Sequence, residues 1–201
     1  MKNIQYLEIK KITSFLIISF FLVLAFGSSD DEDESVNTEV EISIPLPSEQ
    51  ANFSAIIDSM YNVYTVQPNE LKKSSVKKAR NSLFEEIKFN RKVTNWIGKL
   101  DRMSTSSSGN ASINIKLIGS RAEVHTLGDI ELNSDLFNDI ASLSEGDTIV
   151  ISGSFIREYS EYLYESSVTE SGSMSNPEFY FKFKSIEKFV PSSGQIVPDS
   201  Q

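Results

Sequence analysis

The sequence predicts a mainly β fold with α, in which five short strands follow a hairpin of two helices. Three observations carry that expectation. Apolar residues recur at spacings of three and four between residues 49 and 89, the period of an amphipathic helix. From residue 93 onward the period becomes two, the alternation of half-buried strands. Turn-forming groups separate those runs, at Ser104–Asn110 (STSSSGN), Gly119-Ser120 and Ser144–Asp147. A chain of 201 residues holds one ordinary domain with extensions. Its apolar share of 39% and charged share of 23% suffice to bury a core. They exclude collagen-like, wholly disordered and multi-span membrane chains.

The N-terminus predicts export. Lys2, Lys10 and Lys11 precede an uncharged apolar run from Ile12 to Phe26, and Ala25-Phe26-Gly27 offers a small–x–small cleavage site. Residues 1–27 therefore read as a secretory signal peptide. At the helical rise the run spans roughly 23 Å, short of a ~30 Å hydrocarbon core. A retained membrane anchor through residues 12–28 is the second reading. Residues 28–48 carry acids without relief, from Asp30, Asp31, Glu32, Asp33 and Glu34 to Glu39 and Glu41, with Pro45 and Pro47. That composition predicts an acidic, disordered linker.

Residues 49–91 are expected to form the helical hairpin. Phe53, Ile56, Ile57, Met60, Tyr61 and Tyr64 mark one helix over about Glu49–Val66, with Ser48 as its N-cap. Gln67-Pro68-Asn69 breaks the chain, and Asn69 caps a second helix over about Glu70–Phe89. Val76, Ala79, Leu83, Phe84 and Ile87 form its apolar side. Lys72, Lys73, Lys77, Lys78 and Arg80 read as a basic surface. Residues 70–102 hold ten bases against four acids, although the chain as a whole carries −9.

Residues 92–190 supply the strands, and residues 191–201 read as a flexible C-terminal tail. Val93–Met103 is strand-like and interrupted by Gly98. Ser112–Ile118 alternates cleanly, and in Arg121–Leu127 the residues Ala122, Val124 and Thr126 oppose Arg121, Glu123 and His125. Ser134 caps a short helix over Asp135–Leu143. Thr148–Phe155 is β-branched, with a bend expected at Gly153. A polar connection over Arg157–Glu178 leads to a last strand, Phe179–Ile186, where Phe179, Phe181 and Phe183 alternate with Tyr180, Lys182 and Lys184. Trp96, beside Gly98, is expected in the core.

Three strands, a helix and two strands, with a glycine in the first strand, resemble the OB-fold, a five-stranded Greek-key β-barrel. The segment Leu143-Ser144-Glu145-Gly146-Asp147-Thr148-Ile149-Val150-Ile151-Ser152-Gly153 is similar to the L-x-x-G-D-x-V-x-V-x-G stretch of bacterial OB proteins, including the tRNA-anticodon-binding-like OB families. The resemblance covers about Val93–Phe189. It implies a ligand face on the outside of strands two and three, flanked by the loops that join strands one to two and four to five. Here the face would carry Asn114, Lys116, Arg121, Glu123 and His125, and the second loop would bring Tyr159, Tyr162 and Tyr164.

Catalytic and metal chemistry find little footing. With no cysteine and one histidine, the chain has no thiol nucleophile and no centre that needs two imidazoles. His125 lacks an orienting partner at informative spacing and reads as an exposed, idle imidazole. Asp30–Glu34 does not follow the calcium-loop pattern, and no phosphate-binding glycine motif is present. No cofactor and no catalytic residue are expected. The expectation is an exported bacterial envelope or periplasmic protein with a non-catalytic binding role. Its partner is another envelope protein, a lipid surface, or a polyanionic or saccharide ligand; a nucleic-acid role and a motif-less hydrolase are the alternatives.

Overall fold

The computed structural model describes residues 44–158 and 161–191. Two helices come first, α1 (Ser48–Thr65) and α2 (Glu70–Glu86). The strands are β1 (Lys92–Thr105), β2 (Ala111–Leu117), β3 (Glu123–Thr126), β4 (Thr148–Phe155) and β5 (Glu178–Lys188). Helix α3 (Asp135–Ala141) joins β3 to β4, and α4 (Glu170–Ser175) lies between β4 and β5. The strands close into a barrel in the order β1-β2-β3-β5-β4. Every seam is antiparallel except β3–β5, which is parallel. This closed mixed barrel behind two helices is the mainly β architecture expected from the sequence, and it is compatible with an OB-like fold.

Alternation works as read. Ile113, Ile115, Leu117, Val124, Ile149, Ile151, Phe179 and Phe181 point inward and are buried. Gly98 does not interrupt β1. It sits at a close approach of two strands, where an added Cβ would lie 2.4 Å from the Ile115 side chain and 3.0 Å from the Lys116 carbonyl oxygen. Gly153 marks a register shift against β5, and an added Cβ there would lie 2.3 Å from the Lys182 carbonyl oxygen. A β-carbon fits at neither position.

The hairpin is part of the same core. Phe53 on α1 has its ring centroid 5.5 Å from those of Phe84 and Phe89, and 5.3 Å from those of Trp96 and Phe155. Trp96 is completely buried, as expected. Gln50, also completely buried, accepts from the Ile97 N–H at 2.7 Å and donates to the carbonyls of Ile97 (2.7 Å) and Ile118 (3.0 Å). One amide thus seals backbone groups where β1 meets the end of β2.

Several boundaries move for physical reasons. Helix α2 stops at Glu86 instead of continuing to Phe89. Lys88 takes a left-handed conformation (φ 51°), its N–H donates to Glu85, and the Phe89 N–H donates to the Phe84 carbonyl. The Phe84 and Phe89 rings meet at 5.4 Å. This is a Schellman ending with its apolar contact, built on lysine where glycine is usual. Pro47, with no side-chain cap, takes the N-cap place, and Ser48 is the first helical residue of α1. Asn69 and Ser134 do cap their helices, accepting from the N–H groups of Lys72 and Phe137. The 157–178 connection, expected to be polar, contains α4, capped by Thr169.

Candidate functional site

The outer faces of β2, β3 and β5 form one surface. Asn114, His125 and Tyr180 stand opposite one another across three strands. The Tyr180 N–H donates to the Tyr164 carbonyl at 2.9 Å, which adds the 161–166 segment to the row. His125 stacks on Tyr180 with centroids 4.4 Å apart, and Tyr164 lies 4.5 Å from Tyr180 on a tilted plane. Stacked this closely, the rings cover part of one another's faces. The neighbouring row is charged: Lys116 opposes Glu123, and Glu123 opposes Glu178. Lys116 pairs with Asp101 at 2.5 Å and approaches Glu123 at 4.0 Å. Ser166 donates to Glu178 at 3.1 Å.

Burial sets the electrostatics of this surface. It holds the Glu123 carboxyl above its ordinary range, against the pull of Lys116. It also holds the His125 imidazole below its ordinary value, while Glu178 pulls the other way. The His125 Nε2 is buried without a hydrogen-bond partner among the described residues. His125 is therefore neither exposed nor idle. It staples the parallel β3–β5 seam, which is short because β3 has four residues.

A pH dependence follows. The unfolded chain, with an ordinary imidazole near 6.5, binds a proton that the folded chain resists. The neutral form's contribution is complete above pH 6.5 and is lost as pH falls below it. The melting temperature of the native chain should therefore drop between pH 7.5 and pH 5 by more than that of His125→Gln. Equal drops would show that His125 does not titrate against the fold.

Five residues expected on the face converge there: Asn114, Lys116, Glu123, His125 and Tyr164. Two do not. Arg121 turns to the hairpin, pairing with Asp58 at 3.1 Å and lying 3.9 Å over the Tyr61 ring. Tyr162 packs beside α2, donating to the Phe89 carbonyl at 2.8 Å, with the guanidinium groups of Arg91 and Arg157 on its ring. Tyr159 lies outside the described residues. Tyr180 was not among the expected site residues, although its outward place between Phe179 and Phe181 was legible.

The basic surface needs one correction. Lys72 and Lys78 are exposed, Lys73 pairs with Glu70 at 2.9 Å and Lys77 approaches Glu161 at 3.9 Å. Arg80 is completely buried. It lies one helical turn from both Val76 and Phe84, inside the apolar stripe. There it binds Glu165 and donates to the carbonyl (2.6 Å) and hydroxyl (3.0 Å) of Ser173. The Ser173 hydroxyl closes the triangle on Glu165 at 2.5 Å. Burial lowers the Arg80 pKa and raises that of Glu165, and each charge opposes the shift of the other.

The Gly146-Asp147 turn that carries the family likeness is structural. Gly146 has φ 94°, its N–H donates to the Leu100 carbonyl, and Leu100 donates back to Asp147. The Asp147 carboxylate accepts from the Ser144 N–H and pairs with Lys188 at 2.9 Å. Lys188 and the Ser144 N–H hold its pKa down. Two open clefts flank the barrel. One of about 350 Å³ lies between α2 and Glu161–Tyr162. The other, of about 440 Å³, opens where β5 runs on past the end of β3, over Phe181, Phe183 and Leu136.

Among the described residues, no group of three or more His, Asp or Glu is placed to hold a metal ion, and no helix is long and apolar enough to cross a membrane. No family model matches the chain, and the comparison with curated proteins finds no match.

Proposed function

We propose that the chain is a non-catalytic binding module of the bacterial cell envelope, reached by export, which holds a neutral, hydroxyl-rich ligand such as a saccharide on the outside of β2, β3 and β5. The resemblance to the tRNA-anticodon-binding-like OB families supports the choice of face. The observation that carries the reading is the row Asn114, His125, Tyr180 and Tyr164 set beside Lys116, Glu123 and Glu178. Amide, phenol and carboxylate groups at fixed spacing suit the mixed donors and acceptors of a sugar. Glu123 and Glu178 would repel phosphates, which counts against inherited nucleic-acid binding. A hydrolytic role for His125 is disfavoured by its half-buried, stacked ring, whose Nε2 is shielded from solvent.

Calorimetry with soluble peptidoglycan fragments and with heparin tests this. Binding to the glycan fragments with little salt dependence, weakened about tenfold or more by Tyr180→Ala, is expected. A steep salt slope with heparin that Tyr180→Ala leaves unchanged would assign the binding to the lysines of α2 instead.

A further inference from the structure

We propose that the tip of the helical hairpin docks on an anionic lipid surface. Three aliphatic side chains protrude at that end: Val66 just past α1, Leu71 in the first turn of α2 and Val168 just before α4, with 76%, 85% and 98% of their surfaces exposed. The structure places them at one end. Val168 precedes Glu170 by two residues, and Glu170 accepts from Ser74, three residues beyond Leu71, at 2.5 Å. Below the tip, Met174 of α4 packs with Met60 and Tyr64 of α1 and Val76 of α2, so the three elements share one apolar cluster.

The surrounding charge fits an anionic surface. Lys72, Lys73, Lys77 and Lys78 follow Leu71 along α2. Of the nearby acids, Glu70 is held by Lys73, Glu161 lies against Lys77 and Glu170 accepts from Ser74. Lys72 and Lys78 make no ion pair among the described residues. Single aliphatic protrusions do not form the contiguous patch of about 800 Å² that a stable protein partner needs. A fluid interface accepts each one independently, and basic residues beside it add attraction to anionic headgroups. This docking site shares no residue with the β2–β3–β5 face.

The chain has no cysteine, so Leu71→Cys on the full chain carries one polarity-sensitive fluorophore at the tip, and Lys184→Cys carries it on the barrel. The dye at position 71 should shift to the blue with vesicles of equal phosphatidylglycerol and phosphatidylcholine, and much less with phosphatidylcholine alone. The dye at position 184 should not respond. Lys72→Gln and Lys78→Gln should each weaken the response about fivefold. An equal response at both positions, an equal response to neutral vesicles, or none at position 71 would overturn the proposal. So would a shift without vesicles that grows with protein concentration, because that marks self-association. Reading the dye at the tip separates this docking from vesicle binding through residues 1–41. Unchanged glycan binding alongside such a failure would leave the proposed function standing.

Discussion

Arg80→Ala is expected to destabilise the fold by about 3–5 kcal/mol, the range for removing one partner of a buried ion pair. The substitution leaves Glu165 buried, with the Ser173 hydroxyl and the more distant Lys77 charge to stabilise its carboxylate. It also empties the space between Val76 and Phe84 on α2. Because Glu165 and Ser173 lie in the connection between β4 and β5, the loss should loosen α4 as well as the hairpin. Replacing both partners, Arg80→Met with Glu165→Leu, should recover most of the stability, since no unpaired charge remains. Urea denaturation of the two single variants and the double variant gives the coupling directly. An Arg80→Ala change within about 0.5 kcal/mol would return Arg80 to the surface, where most substitutions are that mild.

Phe53→Ala should cost a similar amount, about 3–5 kcal/mol, because the cavity opens at a point where helix and barrel share one cluster. The ring lies within 6 Å of Phe84, Phe89, Trp96, Phe155 and Phe179. Trp96 is the single tryptophan and reports on the same place. In the native chain, its fluorescence and the far-ultraviolet circular dichroism should therefore unfold at one midpoint. In Phe53→Ala both should move down together. Two separated midpoints would mean that the hairpin and the barrel hold independent cores.

Elements were legible where a short period repeats. The 3–4 spacing from Phe53 to Tyr64 and the alternation from Ile113 to Leu117 each depend on one face meeting the core, and a local pattern records that. What stayed hidden depends on distant partners or on unusual backbone. Nothing near residue 88 announces that a lysine will adopt the left-handed conformation that ends α2. Helix α4 is six residues long, too short for a periodic signal. Gln50 looks like an exposed polar residue until β1 supplies the backbone groups it seals.

The site follows the same division. Asn114, Lys116 and His125 are outward by alternation alone. Bringing Tyr180 beside His125 requires knowing that β5 lies parallel to β3, which a linear pattern does not contain. Arg80 is buried because its position on the helix outweighs its charge. The spacing 76-80-84 already set it on the buried stripe, and its partner stands 85 residues further on.

The most direct measurement is a map of amide chemical shifts in the isotope-labelled full chain as soluble peptidoglycan fragments are added. Perturbations should gather on Asn114, Lys116, Glu123, His125, Tyr164 and Tyr180, and should need about tenfold or more ligand in Tyr180→Ala. Saturable shifts confined to α2, or to the cleft over Phe181 and Phe183, would place the ligand elsewhere and contradict the account.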